Sequence, residues 1–354
     1  MKKEKLPERK YKSMAVTIKE IADLANVSRA TVDKVIHRRP GVKKETEERI
    51  LTILKELNYQ PNLIGKALVN SKNPYKLGII LTPEYNTYIQ YTLKGIRKAE
   101  KEFTQFGIEI TVRMLSSLDP VELMSILNEF QAMNISGLAV LPMDDVQVKS
   151  KINQIAKNKT AVVTFNSRLE GIDEICFIGQ DHYKGGRIAA GLMEKIIPEE
   201  GDIGVIISTK NLSCHQDRLL GFTSRIAESK TPLSIIDIQE NQDRKEDAFR
   251  ITLEYCNKYP GLKGIYVAGG GIAGVASALS LSYNKSRIKL ICHDLLPESS
   301  TLLKNGTVDF VLGQSAIEQG YQLIKVLFDY LVMEQAPKDR FYEIPVEIIT
   351  GEMV

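Results

Sequence analysis

Two short amphipathic helices separated by a tight turn are predicted near the start of this chain, and they bury their apolar faces only if a third element packs on them. Thr17 and Glu20 have the spacing of a capping box at the start of the first helix. Asn26 and Val27 form the predicted turn, and Ser28 is placed to cap the second helix. The inward positions of the two helices are apolar: Ile18, Ile21, Ala22, Ala25, Val32, Val35 and Ile36.

A third helix, predicted over residues 44–57, supplies the missing apolar face. Its inward side chains are Ile50, Ile53, Leu54 and Leu57. Three helices of this size bury one another and leave the outer side of the second helix free. That side carries Arg29, Ala30, Asp33, Lys34 and His37. Basic and hydrogen-bonding groups on a helix presented in this way are typical of a helix that enters the DNA major groove.

Three motifs then occur in a familiar order and spacing: IADLANVSRATVDKVI, VKKETEERI and, at residues 57–68, LNYQPNLIGKAL. In these motifs the chain resembles the lactose-repressor (LacI/GalR) family of bacterial transcription regulators. The resemblance implies a homodimeric, sequence-specific regulator that acts in the cytoplasm, on the nucleoid when bound, as a repressor. Its partners would be double-stranded operator DNA and a small-molecule effector, and no enzymatic activity is expected.

The distribution of charge agrees with a DNA-binding head. Residues 1–75 hold 17 Lys and Arg against 9 Asp and Glu, a net +8, whereas the remainder carries a net −5. Phosphate contacts need this excess of positive charge, which draws the head onto a polyanion. Residues 1–15 are interpreted as a disordered basic arm and residues 16–59 as the helix-turn-helix domain.

Residues 60–75 are interpreted as a hinge. The resemblance implies a hinge helix that is ordered on DNA, begun by Asn62, with Leu68 as the residue that wedges into the minor groove at the operator centre. Gly65 stands where the family usually has alanine, and glycine weakens a helix by about 1 kcal/mol. A plain flexible linker therefore stays open as an alternative.

The resemblance also places the side chains that read DNA. Arg29, Ala30 and Lys34 fall at positions that the family uses for base edges, and Arg29 can donate two hydrogen bonds to a guanine. Asp33 is unusual; it either accepts from a cytosine amino group or pairs with Lys34 or His37. Lys19, Ser28 and Thr31 are predicted to contact the DNA backbone, which fixes the register of the head without reading sequence. The predicted DNA-binding residues also include Thr17, His37, Asn62 and Leu68.

From about residue 77 the pattern changes to apolar strands alternating with helices, which predicts parallel sheets covered on both faces. Nine strand runs are too many for one sheet, so residues 76–354 are predicted to form two α/β lobes. The runs are KLGIILT, IEITVRML, GLAVLP, AVVTF, DIGVIIS, LSIIDI, GIYVAG, IKLICHD and VDFVLG. The resemblance implies a sensor and dimerisation domain like the periplasmic sugar-binding proteins, with the effector bound between the lobes.

Polar residues follow several of these strands, where ligands of α/β sheets bind. They match positions at which the sugar-binding relatives hold hydroxyls or stack a ring, and Arg and Asp can each bond two neighbouring hydroxyls. The expected effector is therefore a sugar or polyol. The predicted effector-binding residues are Asn86, Tyr88, Asn166, Arg218, Gly269, Asp294 and Gln314.

The run Gly269, Gly270 and Gly271 departs from the Asn-Asp that sugar-binding relatives usually have there, so the effector is expected to differ from an ordinary hexose or pentose. With Gly274 the run spells GxGxxG between a strand and a helix, and Asp294 follows twenty residues later. A rival hypothesis is therefore a nucleotide or NAD(H) effector, or an NAD-dependent oxidoreductase.

No metal or cofactor is assigned. Cys214 with His215 and Cys292 with His293 are residue types that bind zinc, but their spacing differs from that of structural zinc sites. Four widely separated cysteines suit a reducing cytoplasm. No stretch approaches eighteen apolar residues and the N-terminus lacks a hydrophobic signal core, so no membrane or secretory role is expected.

Overall fold

The structure is a computed structural model that describes residues 16–36, 39–57, 59, 67, 70–281 and 288–354. The predicted basic arm and three predicted DNA contacts, His37, Asn62 and Leu68, lie outside the described residues, as does Gly65.

The head consists of the three predicted helices: α1 (Ile18–Ala25), α2 (Arg29–Ile36) and α3 (Lys44–Glu56). The capping box is present, because the Thr17 amide donates to Glu20 Oε2 at 2.8 Å and the Glu20 amide donates to Thr17 Oγ1 at 3.3 Å. Asn26 ends α1 in the left-handed conformation with φ 49°, and the Thr31 amide donates to Ser28 Oγ at 3.1 Å. The apolar stripes of all three helices meet in one small core.

The rest of the chain forms two α/β lobes. Lobe 1 consists of residues 75–179 and 316–343, and lobe 2 consists of residues 182–313 and 347–354. The elements of lobe 1 are β1 (Tyr75–Leu81), α4 (Thr87–Phe103), β2 (Ile108–Met114), α5 (Pro120–Ala132), β3 (Gly137–Val140), α6 (Val146–Lys157), β4 (Ala161–Phe165), β5 (Cys176–Gly179), α12 (Ala316–Leu331) and β11 (Phe341–Glu343). Those of lobe 2 are α7 (His182–Ile196), β6 (Gly201–Ile207), α8 (Ser213–Ala227), β7 (Leu233–Glu240), α9 (Lys245–Lys258), β8 (Leu262–Val267), α10 (Ile272–Leu281), β9 (Lys289–His293), α11 (Pro297–Lys304), β10 (Phe310–Gly313) and β12 (Glu347–Ile349).

Each lobe contains a six-stranded sheet of the same build. The strand order is β2-β1-β3-β4-β5-β11 in lobe 1 and β7-β6-β8-β9-β10-β12 in lobe 2. All the pairs are parallel except β10 with β12, which is antiparallel. In both sheets the order reverses beside the first strand of the lobe, and ligands of such sheets bind at this switch point, beyond the carboxyl ends of the strands.

The chain passes between the lobes three times, at residues 180–181, 314–315 and 344–346. Gln180, in the first crossing, bonds to the end of β10, directly before the second crossing, and to the third crossing. Its Nε2 donates to the carbonyl oxygens of Gly313 and Pro345, each at 2.8 Å. The lobes are therefore joined by three short neighbouring segments, which form a narrow hinge.

The prediction of two α/β lobes is confirmed, and the nine predicted strands correspond to β1–β4 and β6–β10. Three further strands, β5, β11 and β12, were not predicted; they have four, three and three residues. β11 and β12 are too short for their periodicity to be recognised, whereas β5 is as long as the predicted β3 and β10. The helices predicted between these strands are also present, among them α4 with the 3-10 turn that follows it, α7 and α12.

Ile50 is fully buried in the head, so truncating its side chain should destabilise the head without affecting the two lobes. Ile50→Ala is expected to destabilise the head by about 2 to 5 kcal/mol, because a buried isoleucine loses its packing. Calorimetry should show a lower melting temperature for the head transition and an unchanged sensor transition. Leu51→Ala, at a neighbouring position that is 48% exposed, is the control and should change little. Equal effects of both substitutions would contradict the assigned core.

Candidate functional site

The predicted effector residues come together in the cleft between the lobes. Arg218 on α8 is almost completely buried, and its Nη1 donates to the carbonyl oxygen of Ala268 at 2.8 Å. Its Nη2 donates to Gln314 Oε1 at 3.1 Å, and Gln314 Nε2 donates to Asp294 Oδ1 at 2.6 Å. Arg218, Gln314 and Asp294 therefore form one connected polar network, although they lie on three separate elements.

Tyr88 joins this network from lobe 1. Its hydroxyl group donates to Gln319 Oε1 at 3.0 Å, and Gln319 Nε2 donates to the carbonyl oxygen of Gln314 at 2.7 Å. Tyr88 is buried, and burial raises the pKa of its phenol well above the usual value. The residue therefore links lobe 1 to the second crossing as a neutral hydrogen-bond donor.

Asn86 is predicted to bind the effector, but its side chain already makes hydrogen bonds to other residues. Its Oδ1 accepts from the Tyr88 amide at 2.9 Å and so caps α4. Its Nδ2 donates across the cleft to Asp243 Oδ2 at 2.7 Å. Both ends of this amide therefore bond to protein in the structure, and a direct effector contact from Asn86 stays a prediction.

Three histidines lie in the same cleft, and the sequence analysis did not assign any of them to effector binding. His182 begins α7, His215 lies in the first turn of α8 and His293 ends β9; all three are buried. Burial, with the charge of Arg218 nearby, lowers the pKa of His215 to about 4. The same causes lower the pKa values of His182 and His293 well below the usual range. His293 ends a predicted strand, a signal that could have found it, whereas His182 and His215 lie at the starts of helices and have no comparable signal.

Their hydrogen bonds define which ring nitrogens are free. His215 Nδ1 accepts from the Ser208 amide at 3.0 Å, so the neutral ring carries its proton on Nε2. His182 Nε2 lies 2.6 Å from the carbonyl oxygen of Asn166, so this nitrogen is the donor and Nδ1 is an acceptor. His293 Nε2 lies 2.8 Å from the Tyr266 hydroxyl oxygen.

Several buried polar atoms around the cleft have no hydrogen-bond partner among the residues that the structure describes. Arg218 Nε is a donor, Asn166 Oδ1 and His182 Nδ1 are acceptors, and Ser208 Oγ and His293 Nδ1 take either role. Buried polar groups are normally hydrogen-bonded, and one left unpaired costs about 1 to 3 kcal/mol. The arrangement therefore suits a ligand that offers both donors and acceptors.

A cavity of about 480 Å³ opens from this region. His293, Asp294 and Gly269 lie on its wall, and residues 85–87 of lobe 1 face residues 243–246 of lobe 2 across it. Its volume falls in the range of small-molecule sites. The strand-end residues and the cavity together make the cleft the candidate effector site.

Protein atoms account for the glycines that suggested a dinucleotide loop. A Cβ on Gly269 would lie 2.8 Å from His215 Cε1, and one on Gly271, where φ is 94°, would lie 2.4 Å from Asn241 Nδ2. A Cβ on Gly274 would lie 1.9 Å from the carbonyl oxygen of Lys245 on the neighbouring helix. Each glycine of the motif is thus needed for packing within lobe 2, and a pyrophosphate is not required to explain it.

The cysteines of the two Cys-His pairs are buried near the cleft and do not form a metal site. Cys214 and Cys292 are buried; burial raises the pKa of the Cys214 thiol to about 11 and that of Cys292 higher still. Within the described ranges no group of three or more His, Cys, Asp or Glu side chains is arranged to hold a metal ion. The thiols are neutral packing groups.

The structure leaves the predicted base-reading side chains of the head on its surface. Arg29, Ala30 and Lys34 are exposed along the outer face of α2. Asp33 has a partner that was not foreseen, since its Oδ2 accepts from Arg39 Nη1 at 3.3 Å. Thr17 and Lys19 are exposed at the start of α1. The hydroxyl groups of Ser28 and Thr31 lie 2.9 Å apart and bond to each other at the start of α2.

Asp294 should make stability depend on pH. Desolvation raises the pKa of this carboxyl group to about 6, above the unfolded value near 3.9. The folded state therefore binds the proton more tightly, and ionisation of Asp294 lowers stability as the pH rises from about 4 to about 6. In Asp294→Asn this loss is absent, so the stability of the variant relative to the parent should increase by about 1 to 3 kcal/mol between pH 4 and pH 7.

Urea unfolding of both proteins across that range measures the difference. The exposed Asp173→Asn is the control and should show no such trend. A stability difference between Asp294→Asn and the parent that is the same at both ends of the range would contradict the elevated pKa.

Two known families account for most of the chain. Residues 17–62 match the bacterial regulatory proteins of the lacI family, and residues 77–335 match the periplasmic binding protein domain. No helix within the described residues is both long and apolar enough to cross a membrane.

Among curated proteins, the chain is 24% identical to the ribose operon repressor of Bacillus subtilis (strain 168) over 94% of this chain and 97% of that protein. It is 26% identical to the "Probable HTH-type transcriptional repressor ExuR" of the same organism, over 62% of each. The alignment with the latter thus spans less than two thirds of its length.

Among solved structures, a chain of the XylFII-LytSN complex superposes with a TM-score of 0.73 at 23% identity, over 79% of this chain and 99% of that one. A solute-binding protein from Bacillus halodurans C-125, with bound myo-inositol, gives a TM-score of 0.72 at 17% identity, over 79% and 96%. These likenesses concern the fold. With its two-lobed body, the chain belongs to the periplasmic binding protein domain family over residues 77–335, and its helix-turn-helix head, at residues 17–62, is a domain of the lacI family of bacterial regulatory proteins.

Proposed function

We propose that this protein is a cytoplasmic transcription repressor that binds operator DNA as a homodimer and responds to a neutral polyhydroxyl effector held between its lobes. The observation that carries the effector proposal is the mixture of unpaired buried donors and acceptors in the cleft. A hydroxyl group donates one hydrogen bond and accepts others, so adjacent hydroxyl groups satisfy such a mixture. A carboxylate or phosphate group offers acceptors alone.

The charges of the cleft favour a neutral ligand. Four acidic residues line the cavity, Asp243, Glu246, Asp294 and Glu298, against two basic ones, Arg244 and Lys245. Arg218 adds one buried positive charge, and the three neutral histidines add no charge at neutral pH. An anionic effector would therefore meet more negative than positive groups, and burying an unpaired charge is strongly unfavourable.

The names of related proteins support this class of ligand. A relative is described as a ribose operon repressor, and solute-binding proteins of the same fold are described with bound D-arabinose, D-allose or myo-inositol. Pentoses, hexoses and inositols are all neutral polyols. Glycines 269–271 stand where sugar-binding relatives usually have Asn-Asp, so this loop offers no side chain to the ligand. This favours a polyol that needs no side-chain contact there.

DNA binding is assigned to the exposed face of α2. Arg29 and Lys34 lie on this face, and residues 1–75 carry a net positive charge. Two copies of the head related by a two-fold axis would grip two half-sites of a palindrome. An effector that binds one degree of lobe closure better than another shifts the population of dimers able to hold both half-sites.

Selection from random duplexes should yield a roughly palindromic sequence whose affinity falls steeply as salt rises. Arg29→Ala should relax base preference at one position of each half-site, with a cost of about 1 to 3 kcal/mol per contact. Arg49→Ala, an exposed arginine on α3, is the control for loss of one positive charge and should leave base preference unchanged. If the parent selects no duplex, with or without polyols, the DNA-binding function is wrong.

A thermal-shift screen should find a neutral sugar or inositol that stabilises the protein more than its acid or phosphate derivative. Arg218→Ala should then weaken that ligand by about 1 to 3 kcal/mol or more, because the ligand loses its charged donor inside the cleft. DNA binding without ligand should persist. Arg225→Ala, on the same helix but paired with Glu194, should bind the ligand normally. Preference for NADH or for an acidic sugar would overturn the proposed effector class.

A further inference from the structure

Three consecutive residues of lobe 1 hold lobe 2 at the mouth of the cleft. The Tyr85 hydroxyl donates to the carbonyl oxygen of Gln242 at 3.2 Å. Asn86 Nδ2 donates to Asp243 Oδ2 at 2.7 Å, and Thr87 Oγ1 donates to Glu298 Oε1 at 2.7 Å. Of these contacts, the one between Asn86 and Asp243 lies deepest, because Asp243 is only 9% exposed.

The carboxylate of Asp243 is divided between the two lobes. Its Oδ1 accepts from the Gly270 amide of lobe 2 at 2.7 Å, while its Oδ2 accepts from Asn86 of lobe 1. Asn241 steadies the same loop: its Oδ1 accepts from the Asp243 amide at 3.2 Å and its Nδ2 donates to the carbonyl oxygen of Gly270 at 2.8 Å. The carboxylate is therefore held firmly on its own lobe and presents one oxygen atom to the other.

Two features of the backbone are shaped around this carboxylate. Gln242 and Asp243 have φ of 52° and 57°, a left-handed conformation that non-glycine residues adopt at a cost and that often marks functional sites. On the facing loop, a Cβ on Gly270 would lie 3.0 Å from Asp243 Oδ1. Glycine at position 270 thus leaves the space that the carboxylate fills.

We propose that Asp243 is a positioning residue of the effector cleft, which through Asn86 sets the fraction of molecules with closed lobes before any effector binds. The proposed function assigns an effector to the cleft, whereas this inference assigns the residue pair that tunes its closure. The apparent affinity for an effector falls by the factor by which the binding-competent fraction falls. The pair would therefore set the effector concentration at which the regulator responds.

An exchange of the two side chains tests the pair. In Asp243→Asn the NH2 groups of Asn86 and of the new asparagine face each other, and both are donors. The Asn86 oxygen cannot accept in their place, because it caps α4. In Asn86→Asp two carboxylates face each other. The double variant, Asn86→Asp with Asp243→Asn, restores one donor and one acceptor, keeps the cap on the Tyr88 amide and keeps the acceptor for the Gly270 amide.

The readout is the distance between the lobes in the full chain without ligand. Fluorophores are placed by cysteine substitution at Lys101 on α4 and Asn257 on α9, both exposed, in a Cys256→Ser background. Each single variant should lower the ratio of closed to open molecules by roughly fivefold, the effect of one net hydrogen bond. The double variant should return to within about twofold of the parent.

Two further variants distinguish this role from a general loss of structure. Asn86→Ser removes the donor to Asp243 but keeps a residue that caps helices well, and it should open the lobes as the single variants do. Glu254→Gln removes a negative charge from a side chain of α9 that is 41% exposed, and it should leave the lobes as closed as in the parent. The inference is overturned if Asn86→Ser leaves the distance distribution of the parent, or if the double variant is as open as the worse single variant. No effector is used, so the result does not depend on the effector proposed above.

Discussion

The hydrogen bonds of Gln180 hold together the only three places at which the described chain passes between the lobes. Its amide nitrogen bonds to the carbonyl group of Gly313, the last residue before the second crossing, and to that of Pro345 in the third crossing, so the three segments lie side by side. Because each lobe is assembled from separate stretches of chain, neither can turn without bending this bundle. The three crossings thus form a narrow hinge, and the strand ends of both lobes face the same cleft.

This geometry explains why so many polar groups are buried in one place. Arg218, Gln314 and Asp294 satisfy one another in part, and Tyr88 reaches them from lobe 1. Other buried atoms of the cleft stay unpaired. A closed cleft of this kind is expensive without a ligand and favourable with one, since the ligand supplies the missing hydrogen bonds. Direct contacts between the lobes, such as Asn86 with Asp243, offset part of that cost and so tune the response.

The glycine run illustrates how one motif supports two interpretations until its neighbours are known. In the sequence, Gly269, Gly271 and Gly274 match a dinucleotide fingerprint. In the structure, His215, Asn241 and the backbone of Lys245 occupy the space beside them. Glycine is needed wherever another atom approaches the backbone closely, and that atom need not belong to a ligand.

Local interactions were predictable from the sequence by itself. The capping box of Thr17 and Glu20, the cap at Ser28 and the nine predicted strands depend on residues a few positions apart, so their spacing reveals them. The polar residues at strand ends followed from the rule that ligands bind there, and the structure brings Arg218, Asp294 and Gln314 into contact. Only the tertiary structure decided that three histidines face this cleft, that short strands complete both sheets and that Asn86 meets Asp243. Those two residues are 157 positions apart, and their contact arises from the closure of two lobes, for which the sequence contains no local signal.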